Sequence, residues 1–267
     1  VRLLSQLSEY QKRINDQISR CSFGGPPRLS AACLYALNNG GKRFRPAIVY
    51  MVAEALGKAS VDDAALGVEF FHTASLIADD LPCMDNDSMR RGQPSLHRAF
   101  DEKTALLATY ALIAEGYDRI RRSASPEVLS DVIEQASKGT GLLGATSGQY
   151  LDLNPTSVDE EGLLEVLYLK TGALFELSFV LGWLIGGGDL HLKERVQEAA
   201  YHFGLAFQIA DDIDDYDQDE GRLYNYARMV GKGRARERVV KELEETEAAL
   251  EELQIPSLYQ LTDLLVF

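Results

Sequence analysis

The chemistry of this chain is concentrated in Asp79-Asp80-Leu81-Pro82-Cys83-Met84-Asp85-Asn86-Asp87-Ser88-Met89-Arg90-Arg91-Gly92, where four carboxylates fall within nine residues and two arginines follow. Carboxylates so close repel one another unless cations hold them. The neighbouring arginines offer guanidinium forks to an anion. Hard metal ions such as Mg²⁺ take few protein ligands and share their coordination with substrate phosphates, so this composition suits a metal–phosphate site. The plain alternative is a solvated acidic turn between helices.

A second cluster, Asp211-Asp212-Ile213-Asp214-Asp215-Tyr216-Asp217, ends the run Phe203-Gly204-Leu205-Ala206-Phe207-Gln208-Ile209-Ala210. Asp211 and Asp215 stand one helical turn apart, on one face. Acidic groups at a helix C-terminus are opposed by the macrodipole, which argues against a purely structural role. A calcium loop fails as an alternative: counted from Asp215, glycine falls at position seven and Tyr226 at position twelve, whereas an EF-hand needs Gly at six and Glu at twelve. The clusters lie about 130 residues apart and could face each other across the mouth of a bundle, as bundle metal sites do. Asp79, Asp80, Asp85, Asp211, Asp212 and Asp215 would then be neutralised by about three divalent cations with positions open to phosphate oxygens.

Basic groups accompany them. Gly40-Gly41-Lys42-Arg43-Phe44-Arg45-Pro46 sets Lys42 and Arg45 beside a helix start, a favourable anion seat. Lys170-Thr171 ends an apolar helix, and Gln208 precedes the second cluster by three residues. His72 lies about two helical turns before Asp79; a lone histidine in an apolar helix also reads as a satisfied core residue.

These residues need helices to position them, and the pattern supplies little else. Leu3, Leu4, Leu7, Tyr10, Ile14 and Ile18 mark an amphipathic helix ending before Phe23-Gly24-Gly25-Pro26-Pro27. Further helices are expected over about 28–38, from near Pro46 to Leu56, over 61–80, 96–121, 127–152, 158–171, 173–186, 190–217 and 232–252, with a short one near 257–265. The helix entering the first cluster is apolar nearly all round in its second half and is expected to be central. Gly186-Gly187-Gly188 forms a break, and no segment keeps a period-two alternation. The expectation is an all-α fold in one domain over residues 1–267.

Composition bounds the function. The chain has 267 residues, 46% apolar and 25% charged, with a formal charge of −14; that charge argues against nucleic acid or an anionic membrane surface as partner. Cys21, Cys33 and Cys83 are too few for a disulfide framework, which points to a reducing compartment such as the cytoplasm. No apolar run is long enough for a membrane span. The chain opens on Val1, so a trimmed targeting segment, and with it an organelle, stays compatible with the sequence.

Taken together, the motifs resemble the trans-isoprenyl diphosphate synthases, the head-to-tail (E)-prenyltransferases. The first cluster is similar to the longer form of their first aspartate-rich motif followed by Arg-Arg-Gly. The second is similar to their Asp-Asp-x-x-Asp preceded by Phe-Gln. Gly40–Pro46, His72, Gly148-Gln149-x-x-Asp152-Leu153 and Lys170-Thr171 fall in the family's order.

The resemblance implies a helical bundle around a deep central cavity, Mg²⁺ as cofactor and a homodimer. It implies an allylic diphosphate (dimethylallyl, geranyl or farnesyl) on metal held by Asp79, Asp85 and Asp211, assisted by Asp80, Asp212 and Asp215. Arg90, Lys170, Thr171 and Gln208 would hold the same diphosphate. Isopentenyl diphosphate would sit on Lys42, Arg45, His72 and Arg91. The growing tail would pass Ala74 or Ser75, then Phe71, then Val68. Farnesyl-forming relatives of this type tend to carry an aromatic where this chain has Ala74, so a C20 product, geranylgeranyl diphosphate, is expected over C15; Phe71 reads equally as a floor or as core.

Two departures stand out: Ala78 replaces a common histidine, and no lysine-bearing loop follows Asp217 before Tyr224-Asn225. The rivals are a non-catalytic partner subunit, a class I terpene cyclase, which would leave Lys42, Arg45 and Arg91 unexplained, and a ligand-free acidic scaffold.

Overall fold

Polar caps written into the sequence start several of the helices. Asp101 opens α6 (Glu102–Ser123) by accepting from the Thr104 N–H at 2.8 Å; Asp159 does the same for α9 (Glu160–Leu167) from Gly162 at 2.9 Å. Pro27 stands at the first position of α2 (Pro27–Leu37), where its missing N–H leaves no bond unmade. At the other end of a helix, Gly187 takes φ +91° after α10 (Ala173–Gly186), and the Gly188 N–H returns to the Trp183 carbonyl at 2.8 Å. That is the left-handed exit a glycine run permits.

The computed structural model describes residues 2–58, 60–156, 158–218 and 224–265, with the side chains of 2–5 and 264 left aside. The chain, read from sequence as one domain, divides into two compact units, residues 1–50 with 60–129 and residues 51–59 with 130–267. Most of the described chain is helical, as expected.

The first unit carries α1 (Arg2–Ser19), α2, most of α3 (Phe44–Ala55), α4 (Asp62–Asp79), α5 (Leu96–Ala99) and α6. Its core is built on α4 against α6. The two approach so closely that a Cβ on Gly67 would stand 2.9 Å from the Gly116 carbonyl. Phe71 is buried there, edge-on to Tyr117 at 5.0 Å between centroids, and fills the space that a side chain at Gly116 would need.

The second unit holds α7 (Leu129–Thr140), α8 (Ala145–Leu153), α9, α10, α11 (Lys193–Asp214), α12 (Tyr226–Val230) and α13 (Lys232–Glu252). Leu205, Ile209 and Ile213 of α11 pack with Leu163 and Leu167 of α9, Tyr226 of α12 and Val239 and Leu243 of α13 in one apolar cluster.

The helix boundaries differ from the sequence reading in several places, α12 being unexpected and the last helix a 3-10 segment, Pro256–Leu264. The stretch 96–121 breaks at Phe100–Asp101, because Asp101 caps a new helix. The stretch 127–152 breaks between Thr140 and Ala145, where Gly141 and Gly144 lie. The stretch 190–217 opens with a 3-10 turn, Leu190–Leu192. Finally, α9 runs into α10 through a π-helical turn, Tyr168–Gly172, in which the Ala173 N–H donates to the Tyr168 carbonyl five residues back.

The all-α reading holds, and one short hairpin stands beside the helices. Met89–Arg90 (β1) and Gln93–Pro94 (β2) pair antiparallel, Met89 opposite Pro94 and Arg90 opposite Gln93. Arg91 (φ +52°) and Gly92 (φ +79°) form the two-residue turn between them. Positive φ at both positions is what a tight primed hairpin requires. Two residues per strand are too few to show alternation in a sequence.

Candidate active site

In the first unit the acidic cluster begins where α4 ends. The loop does not run on from Asp79; it folds back, the Asp85 N–H donating to the Asp79 carbonyl at 2.9 Å and the Asn86 N–H to the Leu81 carbonyl at 3.1 Å. Asn86 takes φ +56° to make the turn. Asp79 is half-buried and Asp85 exposed. Asp80 behaves differently. It is buried, accepts from Arg90 Nε at 3.0 Å and is ion-paired with the Arg90 Nη2. Burial nonetheless raises its carboxyl above the ordinary range, against the opposing pull of Arg90.

The hairpin turns Arg90 and Arg91 to different partners. Arg90 reaches back to Asp80, with Asp87 3.3 Å from its Nη2. Arg91 donates to the Gly40 carbonyl and lies against Gly41, where a Cβ would stand 2.4 Å from its Nη1. Gly41 has φ +123°, so both the space and the backbone require glycine there. The hairpin is also tied to α2: Tyr35 donates to the Pro94 carbonyl at 2.8 Å, and Asn39 Nδ2 to the Arg90 carbonyl at 3.1 Å.

The three basic residues at the start of α3 take different positions. Lys42 is exposed, its Nζ 5.8 Å from the Phe44 ring centroid, and Arg45 is half-buried. Arg43, to which the sequence assigned nothing, points inward. It has φ +54°, pairs with the buried Glu69 of α4, and donates to the Leu37 carbonyl at 2.6 Å and to Asn15 Oδ1 at 3.1 Å. Three fixed bonds hold a backbone conformation that a non-glycine residue otherwise avoids.

His72 sits within this basic field. Burial first, and then the guanidiniums of Arg45, Arg91, Arg43 and Arg90, hold its imidazole well below 6.5. It is therefore neutral at pH 7, in surroundings dominated by positive charge. The tail-side residues Ala74 and Phe71 are buried, and Ser75 is half-buried with its hydroxyl bonded to the His72 carbonyl at 2.9 Å.

The second unit supplies the other half of the expected residues, and links them in a chain. Thr171 Oγ1 donates to Gln208 Oε1 at 2.6 Å, and Gln208 Nε2 to Asp212 Oδ1 at 2.8 Å. Asp212 Oδ2 accepts from the Tyr226 N–H at 2.7 Å, while Asn225 donates to the Asp212 carbonyl at 3.0 Å. Asp212 is buried and serves these donors; Asp211 is half-buried and Asp215 exposed. Lys170 pairs with Asp152 of α8. Gln149, named only as part of a motif, carries a buried amide whose nitrogen and oxygen both lack a partner. The stretch Asp219-Glu220-Gly221, where the sequence shows no lysine-bearing loop, lies outside the described residues.

The six aspartates thus divide by burial: Asp80 and Asp212 are buried on protein donors, whereas Asp79 and Asp211 are half-buried and Asp85 and Asp215 exposed near the ends of their helices. Among the described residues no three His, Cys, Asp or Glu side chains gather into a ready-made metal site. That donor set fits an ion such as Mg²⁺, which is bound by one or two carboxylates and completed by substrate phosphates.

Comparison with known proteins places these features in a family. The polyprenyl synthetase family profile matches residues 26–227. A heterodimeric geranylgeranyl pyrophosphate synthase large subunit, chloroplastic, from Arabidopsis thaliana is 39% identical over 210 residues, covering 74% of this chain and 57% of that protein. A farnesyl diphosphate synthase from Geobacillus stearothermophilus is 37% identical over 236 residues, covering 81% of this chain and 76% of that protein. The crystal structure of a geranyltransferase from Helicobacter pylori, complexed with magnesium and isoprenyl diphosphate, superposes with a TM-score of 0.83 at 28% identity, covering 99% of this chain and 96% of that one. The chain therefore spans less than two thirds of the length of the first of these relatives.

Proposed function

Because the chain belongs to the polyprenyl synthetase family, we propose that it joins isopentenyl diphosphate head-to-tail to allylic diphosphates and releases a short-chain (E)-prenyl diphosphate. The observation that carries this reading is that Arg45 and Arg91 act on His72 in addition to the Arg90 that the allylic seat uses. A protein that only ionised one prenyl diphosphate would need no such second anion seat.

In this reading Lys42, Arg45, His72 and Arg91 hold isopentenyl diphosphate, with neutral His72 donating one hydrogen bond among fixed positive charges. Arg90, Lys170, Thr171 and Gln208 hold the allylic diphosphate. Asp79, Asp85, Asp211 and Asp215 are the residues that would hold Mg²⁺, about three ions with the substrate's oxygens included; Asp80 and Asp212 orient Arg90 and Gln208. Bound Mg²⁺ would neutralise the diphosphate so that it can leave.

The chain's own cations stabilise the same developing charge. Arg90 and Lys170 are already held in place by Asp80 and Asp152, so little reorganisation accompanies the step. As the allylic C–O bond breaks, the isopentenyl double bond forms the new C–C bond and a proton is lost to the departing diphosphate. No side-chain base is invoked.

The product proposed is C20. What supports it is the small side chain of Ala74 at the place where farnesyl-forming relatives tend to carry an aromatic, with Phe71 one turn deeper packed against Gly116 and Tyr117. A homodimer is also proposed: Leu106, Leu107, Tyr110 and Ile113 are exposed and lie along one face of α6, an apolar stripe of the kind that marks an interface. Three free cysteines, two of them buried, accord with a reducing compartment, the cytoplasm or an organelle; among the described residues no helix is long and apolar enough to cross a membrane.

The test is product analysis with Mg²⁺, labelled isopentenyl diphosphate and C5, C10 or C15 allylic diphosphates. A labelled C20 diphosphate that disappears in Asp79→Ala is expected. Accumulation at C15 would keep the reaction and overturn the product; no incorporation by folded protein would overturn the reaction.

A further inference from the structure

The π turn Tyr168–Gly172 interrupts what would otherwise be one helix from Glu160 to Gly186. Such single turns carry an extra residue and do not persist without something to hold them. What holds this one is visible in the second unit. The Tyr168 hydroxyl donates to Glu176 Oε2. The other oxygen of Glu176 accepts from Gln135 Nε2 at 2.7 Å, Gln197 Nε2 at 2.9 Å and Lys138 Nζ at 3.0 Å.

Glu176 is buried, in a helix whose other residues from Ala173 to Ile185 are apolar apart from Ser178. Burial pulls its carboxyl upward, and the four donors more than offset that and hold it ionised. Burial and the facing carboxylate in turn push the Tyr168 phenol well above its ordinary value, so it remains a donor. None of the steps above uses either group.

The spacing explains the pairing. In a regular α-helix residues eight apart differ by about 80° around the axis, and one extra residue in the intervening turn reduces this to about 20°. The hydrogen bond therefore aligns with the π register and misaligns with the α register. Lys170 and Thr171 lie inside the same five-residue turn.

We propose that Tyr168 and Glu176 are positioning residues: their hydrogen bond holds the π turn in register and thereby sets where the Lys170 ammonium and the Thr171 hydroxyl are presented to an allylic diphosphate. The proposal rests on the reading of the site as an allylic diphosphate seat. Relaxation to α register would rotate the helix after the turn by about 100° relative to the one before it, and Lys170 and Thr171, within the turn, by part of that.

Full-length Tyr168→Phe keeps the ring, its contact with Gly172 and its packing on Tyr201, and removes only the hydroxyl; Glu176→Gln serves as the second variant should the first fail to fold. Amide hydrogen exchange over residues 168–173 is expected to quicken about tenfold, and the affinity for a non-reactive allylic thiodiphosphate with Mg²⁺ to fall about tenfold, the worth of one buried hydrogen bond. Affinity for isopentenyl diphosphate should stay as in the wild type. Unchanged exchange or unchanged allylic affinity would overturn the proposal, as would equal weakening of both ligands, which marks a merely structural role. A wild-type protein that binds neither diphosphate would sink the reading of the site itself, and is distinguished from those outcomes by needing no variant.

Discussion

The N–H of Asp85 bonds to the carbonyl of Asp79 at 2.9 Å, so the two rim carboxylates of the first cluster belong to one closed loop of backbone. Asp80, between them in sequence, turns inward to Arg90. Removing charge from the two kinds of aspartate should therefore have different consequences. Asp85→Asn is expected to leave the melting temperature unchanged while cutting Mg²⁺-dependent activity by about a hundredfold, a loss of 2–3 kcal/mol of transition-state stabilisation. Asp80→Asn should lower thermal stability as well, because Arg90 loses its partner. Calorimetry and an Mg²⁺ titration of rate, run on both variants, separate the classes.

Arg43 and Glu69 form an ion pair in which both side chains are almost wholly shielded. Truncating one partner leaves the other charged and buried. Arg43→Met is expected to destabilise by about 3–5 kcal/mol, read from urea unfolding. The double variant Arg43→Met, Glu69→Met should recover a large part of that loss; a single variant within about 0.5 kcal/mol of wild type would be incompatible with the burial described.

His72 gives a pH signature. Its folded-state value lies below 6.5, so the unfolded chain binds the proton more tightly. The sign follows: this group leaves stability untouched above pH 6.5, lowers it as pH falls below 6.5, and the loss is complete once pH passes beneath the folded value. Its imidazole resonances should not titrate near pH 6.5 in the free protein. Inorganic diphosphate bound among the arginines should shift that titration upward, since it supplies the negative charge the pocket lacks.

The apolar stripe on α6 predicts an association that charge would break. Leu107→Glu with Tyr110→Glu should move the protein from dimer to monomer mass in light scattering while its helical circular dichroism stays intact. A monomeric wild type would remove the basis for the homodimer.

Much of this was legible in the residues. Both acidic clusters, the glycine exit of α10 and most helices follow from period and capping signals. The inward turn of Arg43 was not, because Lys42, Arg43 and Arg45 are equally basic and only a left-handed φ selects the one that enters the core. The hairpin escaped because each strand has two residues, below any detectable alternation. The π turn escaped because Lys170-Thr171-Gly172 read as a plain break between helices over 158–171 and 173–186, and residue types alone do not tell a break from a π turn. Its one visible trace was Glu176, a lone carboxylate in an apolar helix. The burial of Asp80 and Asp212 was hidden for a similar reason: adjacent aspartates look alike until their partners, Arg90 and the Tyr226 N–H, are in place.

The π turn is also held by backbone. A Cβ on Gly148 of α8 would fall 2.2 Å from the Lys170 nitrogen, and one on Gly204 of α11 would fall 2.8 Å from the Gly172 Cα. Main chain therefore rests on main chain at two points of a five-residue turn, with no flexible side chain between to absorb motion. The helices that flank Lys170 cannot drift apart singly and leave the lysine where it is. Opening of this turn is thus expected to join the cooperative melting of its whole unit rather than precede it as local fraying, so that heat would abolish ligand affinity and tertiary structure in a single transition.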